Sequence, residues 1–238
     1  MIRQLITTLL ALGAAQTASA ETYLTTKCAQ FGQPEFQINV MSSSIPRADV
    51  DWALSTLEGM VASGEKFKAG ETMQLGWMLT KLQAGDKGQL IVTEPDMKSF
   101  PIVFVDSVDS TLKHLRSQKD TVESVLAADA LAFPSLIQAV VVHVNYDKSP
   151  RLMLERSAPN GRNSGLKVID LNDKTASPNN YTLISLYQLA KERPDLVKFF
   201  AIPPGVQATI DGKISFKKNG QALPIKPGSF IELLNRQM

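Results

Sequence analysis

Residues 181–205 read YTLISLYQLAKERPDLVKFFAIPPG, and the predicted fold of the carboxy-terminal half follows from this stretch. Tyr181 to Ile184 is a short apolar run that predicts a strand, and Ser185 is placed to cap the amphipathic helix that comes next. The rigid turn Pro203-Pro204-Gly205 then leads into a hairpin predicted over 206–217. These elements form a packing unit with no chemistry of its own, so the stretch predicts architecture and not activity.

The segments on either side predict further strands. Asn219-Gly220 is a second tight-turn signal, and residues 224–231 are expected to close the sheet. Upstream, Ala139 to Asn145 is a β-branched run typical of a buried strand. Leu152 to Arg156 and Leu166 to Leu171 predict two more strands.

The amino-terminal half also mixes strands and helices. Phe36 to Met41 alternates apolar and polar side chains, which predicts a strand, and an apolar stripe at helical spacing predicts a helix over 46–64. Met73 to Leu82 and Leu90 to Thr93 are separated by a glycine-rich turn and predict a hairpin. A second helix is predicted over 107–126.

Between that hairpin and the second helix, Glu94-Pro95-Asp96 is expected to leave the sheet, because proline cannot donate a ladder hydrogen bond. Ile102 to Val105 predicts a short buried strand. The whole chain is therefore predicted to be α+β, with mostly antiparallel sheets and packed helices.

The two halves also resemble each other locally. Trp77-Met78-Leu79 matches Leu152-Met153-Leu154, and the helix that starts at Ser107 follows at nearly the same spacing as the helix that starts at Ser185. One hypothesis is a duplicated module. The other is chance similarity between two ordinary α+β segments.

Composition is that of a folded protein with an export signal. The 238 residues are 44% hydrophobic and 20% charged, enough to bury a sizeable core, and the formal net charge of +2 without a long basic run predicts no nucleic-acid partner. Arg3, the apolar run 5–15 and Ala18-Ser19-Ala20 match a cleavable secretory signal over residues 1–20. The apolar run is shorter than the roughly 18 to 20 residues that span a bilayer. We therefore expect export, and no membrane span after cleavage.

The only two histidines, His114 and His143, do not predict a metal site. His114 lies in a charged helical segment, where exposure to solvent is expected, and His143 falls within the β-branched run. Metal sites usually gather three or four ligands, and no H-x-x-x-H or C-x-x-C spacing is present. The sequence predicts neither a metal nor a cofactor.

Candidate catalytic groups are equally few. There is no G-x-S-x-G elbow, and Cys28, the single cysteine, has neither a disulfide partner nor a histidine close in sequence. Glu94, Asp96 and Glu71 could offer paired carboxylates for acid–base catalysis, but carboxylates beside Pro95 are more typical of a turn. No catalytic residue is predicted, and this favours a binding protein.

A family resemblance is carried by several segments of the carboxy-terminal half. The chain resembles the thirty-third immunity-protein family, first defined as a domain of unknown function, in Gly161 to Leu166, the polar loop 172–180, Ser185-Leu186-Tyr187, Pro203-Pro204-Gly205 and Ile225 to Phe230. The resemblance covers about residues 150–235, and Gly70 to Asp96 resembles an associated amino-terminal module. The family's Trp after Ser-Gly is Leu166 here, so no contact role is transferred to that position.

The resemblance implies a protein that neutralises a bacterial toxin or effector by tight binding, with no enzymatic activity. The secretory signal would place it in the periplasm, with an amino-terminal α+β module over 21–138 and an immunity-like α+β module over 139–238. Its expected partner is a cognate toxin. Loops on a rigid sheet usually make such contacts, so the candidate contact residues are Asn160, Arg162, Asn163, Ser164, Asn172, Asp173 and Asn179.

Two other hypotheses stay open. An envelope-located enzyme would need a pocket that gathers His143 or His114 with Glu94 or Asp96, because a general base must lie within hydrogen-bond reach of its target. A structural periplasmic domain of a larger assembly would expose an apolar patch around Trp77 or Phe199-Phe200.

Overall fold

Two β-sheets and four α-helices make up residues 20–175 and 177–238, the part of the chain that the computed structural model describes. The predicted signal peptide lies outside the described residues except for Ala20. The strands are β1 (Glu21–Leu24), β2 (Phe36–Val40), β3 (Thr72–Leu75), β4 (Met78–Ala84), β5 (Leu90–Pro95), β6 (Phe104–Val105), β7 (Ala139–His143), β8 (Leu152–Arg156), β9 (Asn163–Asp170), β10 (Tyr181–Ser185), β11 (Val206–Asp211), β12 (Lys213–Lys218) and β13 (Gln221–Leu223). The helices are α1 (Arg47–Ala62), α2 (Asp109–Glu123), α3 (Leu186–Glu192) and α4 (Phe230–Asn235).

Both sheets are mainly antiparallel. The first has the order β1-β2-β5-β4-β3, with β6 paired to β5, and the second has the order β10-β7-β9-β8-β11-β12-β13. Each contains one parallel pair, β2 with β5 and β7 with β9. The α+β prediction is confirmed.

The two sheets share a central pattern. In each, a parallel pair continues into an antiparallel hairpin, β2-β5-β4 in the first and β7-β9-β8 in the second. They differ in the next strand, since β6 pairs with β5 whereas β10 pairs with β7. Duplication of a module therefore remains a hypothesis.

Helix α2 contributes to the cores of both sheets. Leu112 and Leu115 pack in the first core, and Val122 packs in the second. Leu115 and Val122 are two helical turns apart and share one face, so the helix passes from one core to the other along its length.

The turn between β3 and β4 makes a second connection between the cores. Met73 to Leu82, predicted as one strand, is divided at Gly76, which has φ +63° and would place a Cβ 2.2 Å from Leu115 Cδ2. The next residue, Trp77, is fully buried in the second core, with its ring centroid 5.2 Å from that of Phe200. A side chain from the first sheet thus fills the core of the second.

The stretch that begins at Tyr181 folds as predicted. β10 leads directly into α3, and Ser185 Oγ accepts a hydrogen bond from the Gln188 N–H at 3.0 Å. This bond satisfies one of the free amide groups of the first helical turn. A short 3-10 helix, Pro194–Phe199, then carries the chain towards the β11–β12 hairpin.

The expectations around Pro95 are wrong. β5 continues through Glu94 and Pro95, which pair with Val105 and Phe104. Pro95 is the last residue of its strand, where a missing N–H removes no central ladder bond. Ile102 and Val103 are exposed and lie outside the strand, because β6 contacts only the end of β5, so the apolar run is not a buried strand.

The predicted closing strand over 224–231 is also wrong. β13 ends at Leu223, before Pro224, and the chain then forms α4. Pro224 and Pro227 cannot donate to a ladder. Ile231, fully buried, and Leu234, three residues later, pack on the second core with helical spacing.

Candidate binding surface

The seven sequence-predicted contact residues fall in two groups at opposite ends of β9, in the flanking loops or in the first two residues of the strand. Eight strand residues rise about 3.3 Å each, which separates the loops by roughly 25 Å. The set divides into Asn160, Arg162, Asn163 and Ser164 at the start of the strand, and Asn172, Asp173 and Asn179 after its end. They do not form one compact patch.

β7 and β10 lie between the two loops. At one end, the Ala139 N–H donates to the Arg162 carbonyl oxygen at 2.7 Å. At the other end, the Val144 N–H donates to the Asn180 carbonyl oxygen at 2.8 Å. A partner that touches both loops would therefore lie along this side of the second sheet.

Asp173 fixes the loop after β9. Its Oδ1 accepts hydrogen bonds from Thr175 N and Oγ1 at 2.8 and 2.7 Å, and its Oδ2 accepts from Asn180 Nδ2 at 2.8 Å. His143, which is buried, adds a hydrogen bond of 3.1 Å from Nε2 to Oδ2. Bonds from Thr175, Asn180 and His143 hold the pKa of Asp173 well below its usual range, so the carboxylate stays charged and stabilises the loop.

The proton on His143 can be assigned from its neighbours. The Asn145 N–H donates to Nδ1 at 3.1 Å, so Nδ1 is the acceptor and Nε2 carries the hydrogen that Asp173 accepts. The Tyr181 ring closes over the imidazole edge-on, with centroids 5.4 Å apart. The imidazole is thus part of the loop's support, and Asp173 is turned inward.

The side-chain amide of Asn172 is also hydrogen-bonded within the protein. Its Nδ2 donates to Asp170 Oδ1 at 3.0 Å and to Ser149 Oγ at 3.1 Å, and its Oδ1 accepts from Arg151. Ser149 Oγ also donates to Asp170 Oδ1 at 2.6 Å. Asn179 is exposed and can meet a partner directly.

The turn at the start of β9 is built by its own backbone. Asn160 and Asn163 exchange both main-chain hydrogen bonds, and Asn163 Oδ1 accepts from the Gly165 N–H at 2.9 Å. Ser164 is fully buried and its Oγ donates to the Ala139 carbonyl at 2.8 Å, so it cannot contact a partner directly. Asn160 and Arg162 remain exposed.

The outer face of the second sheet is open to solvent. Leu183, Val141, Lys167, Glu155 and Gln207 pair in one row across five strands. The alternate residues of these strands point into the core. A cleft of about 510 Å³ lies on this face and ends at the turns around Gly205 and Asn219. Sequence reasoning, which looked for polar loops, did not identify this face.

His114 is not the solvated residue that its charged neighbours predicted. Its ring lies against Trp77, with centroids 5.4 Å apart, and its Nδ1 is enclosed without a hydrogen-bond partner among the described residues. Burial lowers the pKa of His114 from 6.5 to about 4. The imidazole is therefore neutral at the boundary between the two cores.

Acid should weaken the fold through His114. Its pKa is lower in the folded than in the unfolded chain, so its contribution to stability is complete above pH 6.5 and is lost as the pH falls towards 4. Between pH 7 and pH 5 we expect a loss of about 1 to 2 kcal/mol in the free energy of unfolding from this group. Urea denaturation at both pH values measures it. A His114→Phe variant keeps an aromatic ring beside Trp77, and an equal loss in that variant would contradict the assignment.

The carboxylates beside Pro95 have structural roles. Glu94 is buried, and its two oxygens accept from Ser110 N at 2.9 Å and from Thr111 N at 2.6 Å at the first turn of α2. Burial raises the pKa of Glu94 despite these bonds. Asp96 Oδ1 accepts from the Lys98 N–H in an exposed loop. His143 hydrogen bonds to Asp173 rather than to either carboxylate, so the proposed acid–base pocket is not assembled around it.

The apolar groups considered for an assembly patch are not at the surface. Trp77, Phe199 and Phe200 are at most 1% exposed and belong to the second core, so the predicted patch around them is wrong. Cys28 is likewise buried in the first core. Nowhere in residues 20–175 and 177–238 do three His, Cys, Asp or Glu side chains converge as metal ligands would. None of the helices in these ranges is both long and apolar enough to cross a membrane.

Comparison with known families gives a match over most of the second sheet. Residues 117–217 match the model of the Imm33-like domain, from the middle of α2 to β12. The match begins before the segment 150–235 that carried the sequence resemblance, and it leaves out Ile225 to Phe230. Comparisons with curated proteins and with solved structures gave no match. Immunity domains in general bind a toxin partner and are not enzymes. The match confirms the resemblance to an immunity-protein family seen in the sequence, and residues 117–217 are similar to the Imm33-like domain.

Proposed function

We propose that this protein is a periplasmic immunity protein that neutralises a bacterial toxin or effector by binding it directly. The Imm33-like match supports this most strongly, because it covers the sheet whose outer face and flanking loops are open to solvent. The secretory pattern of residues 1–20 supports export to the periplasm.

Direct occlusion is the mechanism that the surface supports. A standard interface buries about 800 Å² on each partner. Asn160 and Arg162 at one end and Asn172 and Asn179 at the other are exposed, and each lies in a turn closed by a backbone hydrogen bond. A backbone already ordered by such bonds loses less conformational entropy on binding, which favours the tight association that neutralisation requires.

Protection of living cells tests the proposal. The tagged protein is cross-linked and purified from its native host, and a co-purified partner is then expressed with an export signal in a sensitive strain. We expect the partner to arrest growth and co-expression of the full chain to restore it. Recovery of the chain alone, or growth arrest that the chain does not relieve, would contradict the proposal.

A second arm tests the compartment. The mature protein should begin near Glu21 by mass spectrometry and appear in the periplasmic fraction. A variant without residues 1–20 should bind the purified partner equally well but fail to protect cells against a partner that acts in the envelope. Protection by this cytoplasmic variant would contradict the periplasmic site of action and leave the binding function intact.

A further inference from the structure

β10 is an outer strand of the second sheet, and one of its two edges is unpaired within the described residues. It pairs with β7 on one side, and no other strand of residues 20–175 and 177–238 pairs with it. The hydrogen bonds from Val144 N to Asn180 O and from Leu186 N to Gln138 O fix the alternation along the antiparallel pair. By that alternation, Thr182 and Ile184 bond to β7, and the N–H and C=O groups of Tyr181 and Leu183 and the N–H of Ser185 point away from it. The Ser185 C=O accepts the first hydrogen bond of α3, because Ser185 is the N-cap of that helix.

This edge has none of the features that usually prevent strand pairing. Soluble proteins protect outer strands by short length, charged side chains, proline or bulges. β10 reads Tyr-Thr-Leu-Ile-Ser, without charge or proline, and pairs in register at all five residues. It is longer than the other outer strands of the described chain, β1, β3, β6 and β13.

Exposed apolar side chains flank the edge. Phe100 is 85% exposed, and Leu183 and Ile137 are each 63% exposed. These are the highest exposed fractions among the large hydrophobic residues of the described chain. Leu183 lies in β10. Ile137 precedes Gln138, whose carbonyl oxygen accepts from the N–H of Leu186, the residue that follows β10. Phe100 and Ser185 line a common cleft. Large apolar side chains exposed near a strand edge are typical of an interaction site.

The cleft has a defined shape and a basic side chain. It has a volume of about 350 Å³ and is lined by Phe100, Ser185, Tyr187, Gln188, Lys191 and Glu192. The Tyr187 hydroxyl donates to the carbonyl oxygens of Asp96 and Ser99, which holds the Phe100 loop against α3.

A lysine side chain lies at each end of β10, and Glu155 is the residue opposite Lys167 in the sheet. Lys191 Nζ lies 5.7 Å from the Phe100 ring centroid, and Lys167 Nζ lies 4.4 Å from the Tyr181 ring centroid. Within the described ranges neither ammonium group forms an ion pair with a carboxylate. Glu192, the acid of the cleft, is engaged by Tyr146 and Gln188. Carboxylates of a partner could therefore pair with Lys167 and Lys191.

We propose that the free edge of β10 binds an extended strand of the partner protein, which adds to the second sheet beside β10. Main-chain hydrogen bonds to Tyr181, Leu183 and the Ser185 N–H would give affinity, and an apolar side chain beside Leu183 and Phe100, with acidic residues near Lys167 and Lys191, would give specificity. The inference rests on the proposed function, in that the chain acts by binding a protein. It names the binding edge and the chemistry of the segment bound.

Leu183→Pro tests the edge with little change to the sheet. Proline at position 183 removes an N–H that points away from β7, and proline is tolerated at such positions of outer strands. Leu183→Val keeps the N–H and an apolar side chain, and is the matched control. The probe is a displayed library of random twelve-residue peptides, selected on the purified protein.

We expect selected peptides to alternate β-branched or aromatic residues with Asp or Glu. They should bind the wild type and Leu183→Val alike, and bind Leu183→Pro at least about tenfold more weakly, as expected for a lost main-chain hydrogen bond together with a steric clash. Hydrogen exchange at the Leu183 amide should slow on binding. Equal binding to Leu183→Pro, or protection elsewhere only, would overturn the proposal.

Two further measurements keep the test decisive. If Leu183→Pro does not fold, Leu183→Asp replaces it, and acidic peptides should bind that variant at least about tenfold more weakly. If sedimentation shows a wild-type dimer that Leu183→Pro converts to a monomer, the edge pairs with a second copy and the proposal is overturned.

The outcomes separate this inference from the proposed function. Full protection of cells by a folded Leu183→Pro variant would contradict binding at the β10 edge and leave the proposed immunity function standing. If the selected peptides and the hydrogen exchange at Leu183 are as expected but the wild type does not protect cells, binding at the β10 edge is supported and the immunity function is contradicted.

Discussion

Replacing Trp77 by Ala should lower the free energy of unfolding by about 3 to 5 kcal/mol, the usual cost of removing a large aromatic side chain from a core. Trp77 is fully buried in the second core and packs against Phe200 and His114. Its indole Nε1 has no hydrogen-bond partner within the described residues, so the variant also removes one unpaired donor. That gain, about 1 to 3 kcal/mol at most, should be smaller than the cost of the cavity.

Trp52→Ala is the matched control. Trp52 is the only other tryptophan and is 43% exposed on α1, so its loss should cost less than about 1 kcal/mol. Urea unfolding followed by circular dichroism measures both variants. A Trp77→Ala protein with wild-type stability that has lost an oligomeric contact would restore the assembly hypothesis and contradict the core position of this residue.

Gly165→Ala should destabilise the protein by about 3 kcal/mol or more. Gly165 has φ +78°, and a Cβ there would lie 2.2 Å from the Ser157 carbonyl oxygen, which is backbone and cannot move aside alone. The left-handed conformation costs a side chain about 1 to 2 kcal/mol. Overpacking that shifts the backbone adds about 1 to 3 kcal/mol.

Gly161→Ala separates these two costs in the same turn. Gly161 also has positive φ, +55°, but an added Cβ would meet no atom within 4 Å. We expect a loss of only about 1 to 2 kcal/mol from the backbone conformation. Thermal unfolding of both variants gives the difference. Equal losses would mean that the close approach of β8 and β9 at Gly165 is not a constraint.

The sequence predicted local structure well where side chains act on their own backbone. Ser185 caps α3, and Leu152 to Arg156 forms a strand with the predicted bounds, because capping and alternation depend on neighbouring residues. The predicted closing strand over 224–231 failed although its prolines and the helical spacing of Ile231 and Leu234 were readable. The apolar content of this segment favoured a strand, whereas the prolines and the helical spacing opposed one.

The site was predicted less well because it depends on packing between distant segments. The seven contact residues were chosen as polar loop residues, yet Asp173 and Ser164 are used internally by His143 and the Ala139 carbonyl. No sequence pattern reports such partners. The separation of the two loops, by contrast, follows from the length of β9. The free edge of β10 could not be read from the sequence, because strand order within a sheet arises only on folding.

The shared helix has a consequence for modularity. A cut at residue 117, where the family match begins, would divide α2 and separate its matched part from Leu112 and Leu115. It would also remove Trp77 from the core that this side chain fills. The matched segment of this chain is therefore not expected to fold when moved alone into another protein. A recombination event that preserves its fold must also transfer the first sheet.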